Sequence, residues 1–337
     1  MTAKIKPSQG SPYARILGVG GYRPTRVVGN DEILKHIDSS DEWIRSRSGI
    51  ATRHWAGPEE TVAMMSVEAS GKAIAAAGID PAQIDAVIVS TVSHFKQTPA
   101  IATEIADRVG AGKPAAFDIS AGCAGFGYGL TLAKGLIVEG SAEYALVIGV
   151  ERLSDLTDLE DRATAFLFGD GAGAVVVGPA QEPAIGPTVW GSEGDKAEAI
   201  KQTESWEIYR GRTDVSDVRY PAITQEGQAV FRWAVFEMAK VAQEALDRAG
   251  VRADDLDVFI PHQANMRIID SMVKTLGLPE HVTVARDVAT TGNTSAASIP
   301  LAMERLLATG QAKSGDTALV IGFGAGLAYA ATVVTLP

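Results

Sequence analysis

The chain has 337 residues, of which 46% are hydrophobic and 21% charged, with a formal net charge of −11. This composition excludes a disordered chain and argues against nucleic acid as a bulk partner, and no apolar run reaches the roughly 18 to 20 residues that a membrane span needs. A single cysteine excludes an intrachain disulfide and a cysteine-rich metal site, and the first ten residues lack the apolar stretch of a secretory signal; the cytoplasm is the expected location.

Strand-like and helix-like segments alternate, which marks α/β architecture. Residues 61–77 read as a helix ending at Gly78. Residues 84–92 read as a buried strand, 100–109 as a helix ending at Gly110, and the stretch closing on Phe117-Asp118-Ile119-Ser120 as another strand. Small residues then make a tight turn before a helix at 130–138. Residues 144–150 and 173–178 are further buried strands. Pro179 to Pro187 has linker composition, and a polar, irregular stretch follows to about residue 222. Helix 227–249, strand 256–260, helices 264–276 and 295–308, and strands 316–322 and 327–335 then repeat the earlier order. Two similar halves, 1–182 and 183–337, are expected.

Cys123 lies in Ser120-Ala121-Gly122-Cys123-Ala124-Gly125-Phe126, at the strand-to-helix turn. Unpaired N–H groups and the dipole at a helix N-terminus favour a thiolate there. A small buried apolar side chain is the bland alternative, but glycines on both sides open the backbone to a substrate. Of the five histidines, His36, His54, His94 and His281 sit in polar or loop contexts. His262 follows the apolar Val258-Phe259-Ile260 and Pro261, at the strand end where α/β proteins place working groups; a helix cap is the other reading. Asn293, in Gly292-Asn293-Thr294-Ser295, is either a turn or cap residue or a neutral donor to developing negative charge. The glycine runs at 18–21, 168–174 and 322–326 lack the lysine and the strand-to-helix context of a phosphate loop. The last of these reads as a hairpin turn whose N–H groups could face an oxyanion.

Five ordered segments resemble β-ketoacyl-acyl carrier protein synthase III: Ser40-Asp41-Glu42-Trp43-Ile44, Ala121 to Phe126, Phe168 to Ala174, Pro261-His262-Gln263-Ala264-Asn265, and Gly292 to Ser298. The resemblance implies a thiolase-like fold of five αβαβα layers in two similar halves, and a homodimer. It implies an acyltransferase that starts type II fatty-acid synthesis. An acyl primer would pass from acyl-CoA to Cys123, and decarboxylative condensation with malonyl-acyl carrier protein would follow. His262 and Asn293 would flank the nucleophile, with the backbone N–H groups of Cys123 and Ala325 as oxyanion hole. Trp43, Arg47 and Arg162 match coenzyme A contacts. Arg232, Arg267 and Lys274 match positions near the tunnel mouth that face the acidic carrier protein. Thr98 aligns with a residue that enters the partner subunit's acyl pocket, and its small size implies room for branched or longer primers. No metal and no resident cofactor is implied. A related starter or polyketide synthase and a cysteine-dependent thioester hydrolase remain the alternatives.

Overall fold

The structure, a computed structural model, describes residues 4–212 and 220–337. Two five-stranded sheets organise it. The first runs, edge to edge, Tyr13–Tyr22, Asp170–Ala180, Tyr144–Arg152, Ile84–Ser90, Ala115–Ile119. The second runs Val189–Ser192, Ala328–Thr335, Thr317–Gly324, Val258–Pro261, Thr283–Val284. Counted in chain order within its own half, each sheet has the order 1-5-4-2-3. In each, strands 3, 2 and 4 pair in parallel, and strands 4, 5 and 1 pair antiparallel. One crossover pattern therefore occurs twice.

Helices fill the layers. Val62–Ala77 and Ile101–Arg108 cover the outer face of the first sheet, and Gly227–Ala249 packs with Met266–Leu276 outside the second. Gly125–Glu139 and Ser298–Ala308 lie between the sheets and touch both. The result is five αβαβα layers, as the resemblance implies.

Local chemistry explains the helix ends. The Thr61 side chain accepts the Met64 N–H to cap Val62–Ala77, and Gly78 stops that helix at φ 67°. Close packing explains the glycines. A Cβ on Gly18 would lie 2.4 Å from the Ala73 carbonyl oxygen, and one on Gly20 would lie 2.2 Å from that of Ala69. The glycine run at 18–21 is thus a strand on which a helix lies almost backbone to backbone.

The observed elements differ from the predicted ones where tertiary packing overrides local preference. The buried helix starts at Gly125, five residues before its expected start, although glycine disfavours helices. Its glycines are needed for contact: a Cβ on Gly127 would sit 2.7 Å from Ala330 Cβ, and one on Gly129 would sit 2.8 Å from Val147 Cγ1. The strand expected at 144–150 runs on through Arg152, and that expected at 173–178 begins at Asp170.

Gly149 makes a close backbone approach near the centre, since a Cβ there would lie 2.1 Å from the Ala296 carbonyl oxygen. Gly149→Ala is expected to cost about 1–3 kcal/mol of stability through overpacking. Denaturant unfolding of the two proteins measures this.

Candidate active site

The two central helices enter the molecule the same way. A three-residue 3-10 turn, Gly122–Ala124, precedes the first, and another, Ser295–Ala297, precedes the second. Each opens on a residue in left-handed conformation, Gly122 at φ 50° and Ser295 at φ 48°. A non-glycine residue held there marks a backbone constrained by its surroundings. The two turns pack on each other, and Asn293 lies two residues before the second.

Asn293 is clasped on both sides. Its N–H donates to the Leu167 carbonyl at 2.8 Å, and its own carbonyl accepts the Gly169 N–H at 3.0 Å. A Cβ on Gly169 would lie 2.2 Å from the Thr291 carbonyl oxygen, which explains a glycine at that point of the 168–174 run. The Asn293 Oδ1 accepts the Ser295 N–H at 2.9 Å. This fixes the amide orientation and leaves the NH2 group as its donor face.

His262 follows Val258–Pro261 and is 2% exposed. Its Nδ1 lies 2.7 Å from Ser298 Oγ, which also accepts the Gln263 N–H at 3.3 Å. Among the described residues Nδ1 is the acceptor within reach of the Ser298 hydroxyl proton, which assigns the ring proton to Nε2. The ring rests edge-on against Phe323, with centroids 5.4 Å apart. Burial pushes the imidazole down to about 3, so it is neutral at physiological pH.

Cys123 is half-buried, and its thiol is pushed up to about 12, chiefly by burial. The Ser295 hydroxyl opposes that shift, and the charge of Glu151 adds to it. A helix dipole contributes at most about 2 kcal/mol. The dipole at the helix N-terminus acts in the opposite sense to burial. A Cβ on Gly324 would lie 2.8 Å from Cys123 Sγ, so the glycine lets the strand end pass against the sulfur. Ala325 follows directly; its turn packs on that of Cys123, and the strands on either side of it form a hairpin.

The basic and aromatic residues assigned by resemblance gather at one opening. A cavity of about 460 Å³ is lined by Trp43, Arg47, Phe231, Arg232, Asn265 and Arg267, among others. Arg162 stacks over the Trp43 ring at 4.8 Å, and Arg47 lies 5.8 Å from it. Asn265 joins the helices that carry Arg47 (Asp41–Ser48) and Arg267 (Met266–Leu276): its Oδ1 caps the latter by accepting the Arg267 N–H, and its Nδ2 donates to the Arg47 carbonyl. Lys274 is exposed two turns along the same helix, outside the lining. A second cavity of about 690 Å³ holds Thr98, Phe95, Phe117 and Ala325 in its wall.

Several supporting residues were not singled out in the sequence. Ser298 sets the histidine tautomer, and Gln263 staples its strand by donating to the Pro261 and Ala285 carbonyls while accepting the Val288 N–H. Glu151, 0% exposed, ends the Tyr144–Arg152 strand beside the thiol. Its place at the end of a buried strand is the same signal that picked out His262.

Ser298→Ala removes the donor to Nδ1. Nitrogen-15 spectra of the native protein are expected to show the Nε2–H tautomer of His262 from pH 5 to 8, and those of the variant a mixture of tautomers.

Comparison with known proteins follows this geometry. The family described as 3-oxoacyl-[acyl-carrier-protein] synthase III matches residues 117–194, and the family of its C-terminal part matches residues 246–336. The chain is 83% identical to β-ketoacyl-[acyl-carrier-protein] synthase III 1 of Streptomyces coelicolor, over 99% of this chain and 100% of that protein. It is also 83% identical to the synthase III of Streptomyces glaucescens, with the same coverage. Among solved structures, the priming β-ketosynthase of the R1128 polyketide pathway superposes with a TM-score of 0.95 at 47% identity, covering 100% of this chain and 99% of that one. The 3-oxoacyl-[acyl-carrier-protein] synthase III of Aquifex aeolicus superposes with a TM-score of 0.86 at 38% identity, covering 96% and 99%. With two topologically equivalent halves and these similarities along its whole length, the chain belongs to the β-ketoacyl-acyl carrier protein synthase III family.

Proposed function

We propose that Cys123 accepts the acyl primer, and that His262 and Asn293 donate hydrogen bonds to the carbanion that condenses with it. The chain is an initiating condensing enzyme of fatty-acid synthesis. What supports the residue assignment is the meeting of the two turns, one carrying Cys123 and the other following two residues after Asn293, whose amide has a fixed donor face, while Ser298 holds a neutral imidazole.

The chemistry runs in two half-reactions. Sulfur attacks the acyl-CoA thioester, and the N–H groups of Cys123 and Ala325 receive the oxyanion. Coenzyme A leaves, and malonyl-acyl carrier protein enters. Loss of carbon dioxide makes an enolate. A neutral Nε2–H and an amide N–H stabilise it without forming an ion pair that would trap it. The carbanion then attacks the acyl-cysteine and releases the 3-oxoacyl carrier protein.

Trp43 and Arg162 bind the adenine of coenzyme A between them, and Arg47 meets its phosphates. Arg162 covers the indole in this structure, so a base entering there lifts it away. Arg232, Arg267 and Lys274 receive the acidic carrier protein. Two halves meet at residues 182 and 183; each sheet draws all its strands from one side of that point. The protein acts as a homodimer. The Ala115–Ile119 strand, an edge of the first sheet, offers it a pairing surface, and exposed Thr98 beside that edge reaches the partner's pocket. It works in the cytoplasm, and among the described residues no helix is long and apolar enough to cross a membrane.

Intact-mass measurement with acyl-CoA is expected to show one acyl adduct, absent in Cys123→Ala, that persists until malonyl-acyl carrier protein is added. Turnover of the adduct by water alone would identify a hydrolase instead. Asn293→Ala is expected to slow malonyl decarboxylation by about 100- to 1000-fold and acylation only a few-fold. With the small Thr98, isobutyryl-CoA is expected to be used at least as well as acetyl-CoA; a strict acetyl preference refutes that pocket assignment. Arg267→Glu is expected to raise KM for the carrier protein and leave that for acyl-CoA nearly unchanged.

A further inference from the structure

The acyl-transfer step leaves one proton unplaced. The Cys123 thiol must lose it, yet His262, the base nearest to hand by residue type, is a poor acceptor. Its Nδ1 is engaged by Ser298 and its Nε2 carries the ring proton.

Behind the thiol lies a carboxylate that the reaction so far does not use. Glu151 is 0% exposed and, among the described residues, makes no ion pair. Four groups face it. The Ser93 hydroxyl donates to Oε2 at 2.6 Å, the Val92 N–H at 3.1 Å and the Thr91 hydroxyl at 3.3 Å. The fourth is Ser295: the Ser295–Ala297 turn packs on both the Cys123 turn and the Tyr144–Arg152 strand that carries Glu151, and its hydroxyl acts as a hydrogen-bonding group on both the carboxylate and the thiol. Ser295 sits between the only thiol in the chain and a buried carboxylate, in a left-handed conformation that few non-glycine residues adopt.

We propose that Glu151 is the proton acceptor for Cys123, acting through the Ser295 hydroxyl. The proposal rests on Cys123 being the acylated residue. In the first half-reaction the S–H bond breaks and its proton passes to Ser295 Oγ, while the Ser295 proton passes to a Glu151 carboxylate oxygen. The sulfur bonds to the acyl carbon, the carbon–sulfur bond to coenzyme A breaks, and the released thiolate takes a proton from water. In the second half-reaction the attacking carbanion expels the Cys123 thiolate, and Glu151 returns the proton along the same path. Ser295 ends each half-reaction neutral, and the charge of the relay is restored over a full cycle.

Burial suits the carboxylate to this exchange. It lifts Glu151 to about 7, against the donors that favour the charged form, so both protonation states are accessible at working pH. Cys123 is the titratable group on the far side of Ser295. Arg152, next along the chain, pairs with Asp155 and leaves the carboxylate alone. The base form of Glu151 is populated above about pH 7, so the acylation rate should rise through that pH.

The test is single-turnover acylation from acetyl-CoA, followed by intact mass from pH 5.5 to 9, for the native protein, Glu151→Gln, Ser295→Ala and the double variant. Thermal unfolding of each checks that it folds. Native acylation is expected to inflect near pH 7. Each single variant is expected to be at least about tenfold slower at pH 7.5 and to lose the inflection, and the double variant to be no slower than either, because the two residues act as one path. Ser295→Ala keeps the carboxylate intact and decides the matter if Glu151→Gln does not fold. A folded variant with the native rate and profile overturns the proposal, as does one slowed equally at every pH, which is the signature of a structural role. Alkylation of Cys123 by iodoacetamide over the same pH range reads the relay without any acyl donor. If the native protein takes no acyl group, the acyl-transfer reading fails while the alkylation profile still reports on Glu151.

Discussion

The close packing of two buried helices between two sheets is the constraint on which the site depends. Gly125–Glu139 and Ser298–Ala308 each touch both sheets, and they can do so only because glycine replaces side chains at the points of contact. Gly127 against Ala330, Gly149 against Ala296 and Gly173 against Pro300 all lie closer than a Cβ would allow. The same closeness brings the helix entry turns into contact. Two copies of one crossover pattern thereby meet at one junction, with the Cys123 thiol from one copy and the Asn293 amide from the other.

Burial then sets the protonation states. It drives His262 down and Cys123 and Glu151 up, in each case as the largest influence. All three shifts favour the neutral form. A neutral site suits a reaction whose charge appears only briefly, since fixed donors that carry no charge bind the enolate without holding it as an ion pair.

The exterior follows a different logic. A chain with a net charge of −11 nonetheless places Arg47, Arg232 and Arg267 around one opening, with Arg162 stacked on Trp43 beside it. The Asn265 side chain ties the helices bearing Arg47 and Arg267 together. In the segment Pro261-His262-Gln263-Ala264-Asn265, the histidine is thus buried against Ser298 and Phe323, while the glutamine and the asparagine hold the surrounding backbone.

Much of this architecture was legible in the residue order. Buried strands announce themselves as apolar runs, helices close on glycines such as Gly78 and Gly250, and the five ordered segments around Trp43, Cys123, Phe168, His262 and Asn293 are specific enough to identify the family. Local signals of this kind depend on neighbouring residues, which the chain specifies directly. The edge strand Tyr13–Tyr22 and the helix start at Gly125 were not legible, because their glycines are explained only by what packs against them. Nor could the sequence show that the thiol is raised and not lowered, that Ser298 sets the tautomer of His262, or that Glu151 lies behind Cys123. Those properties arise from desolvation and from contacts between residues far apart in the chain, and only the folded chain, by excluding water and closing those distances, decides them.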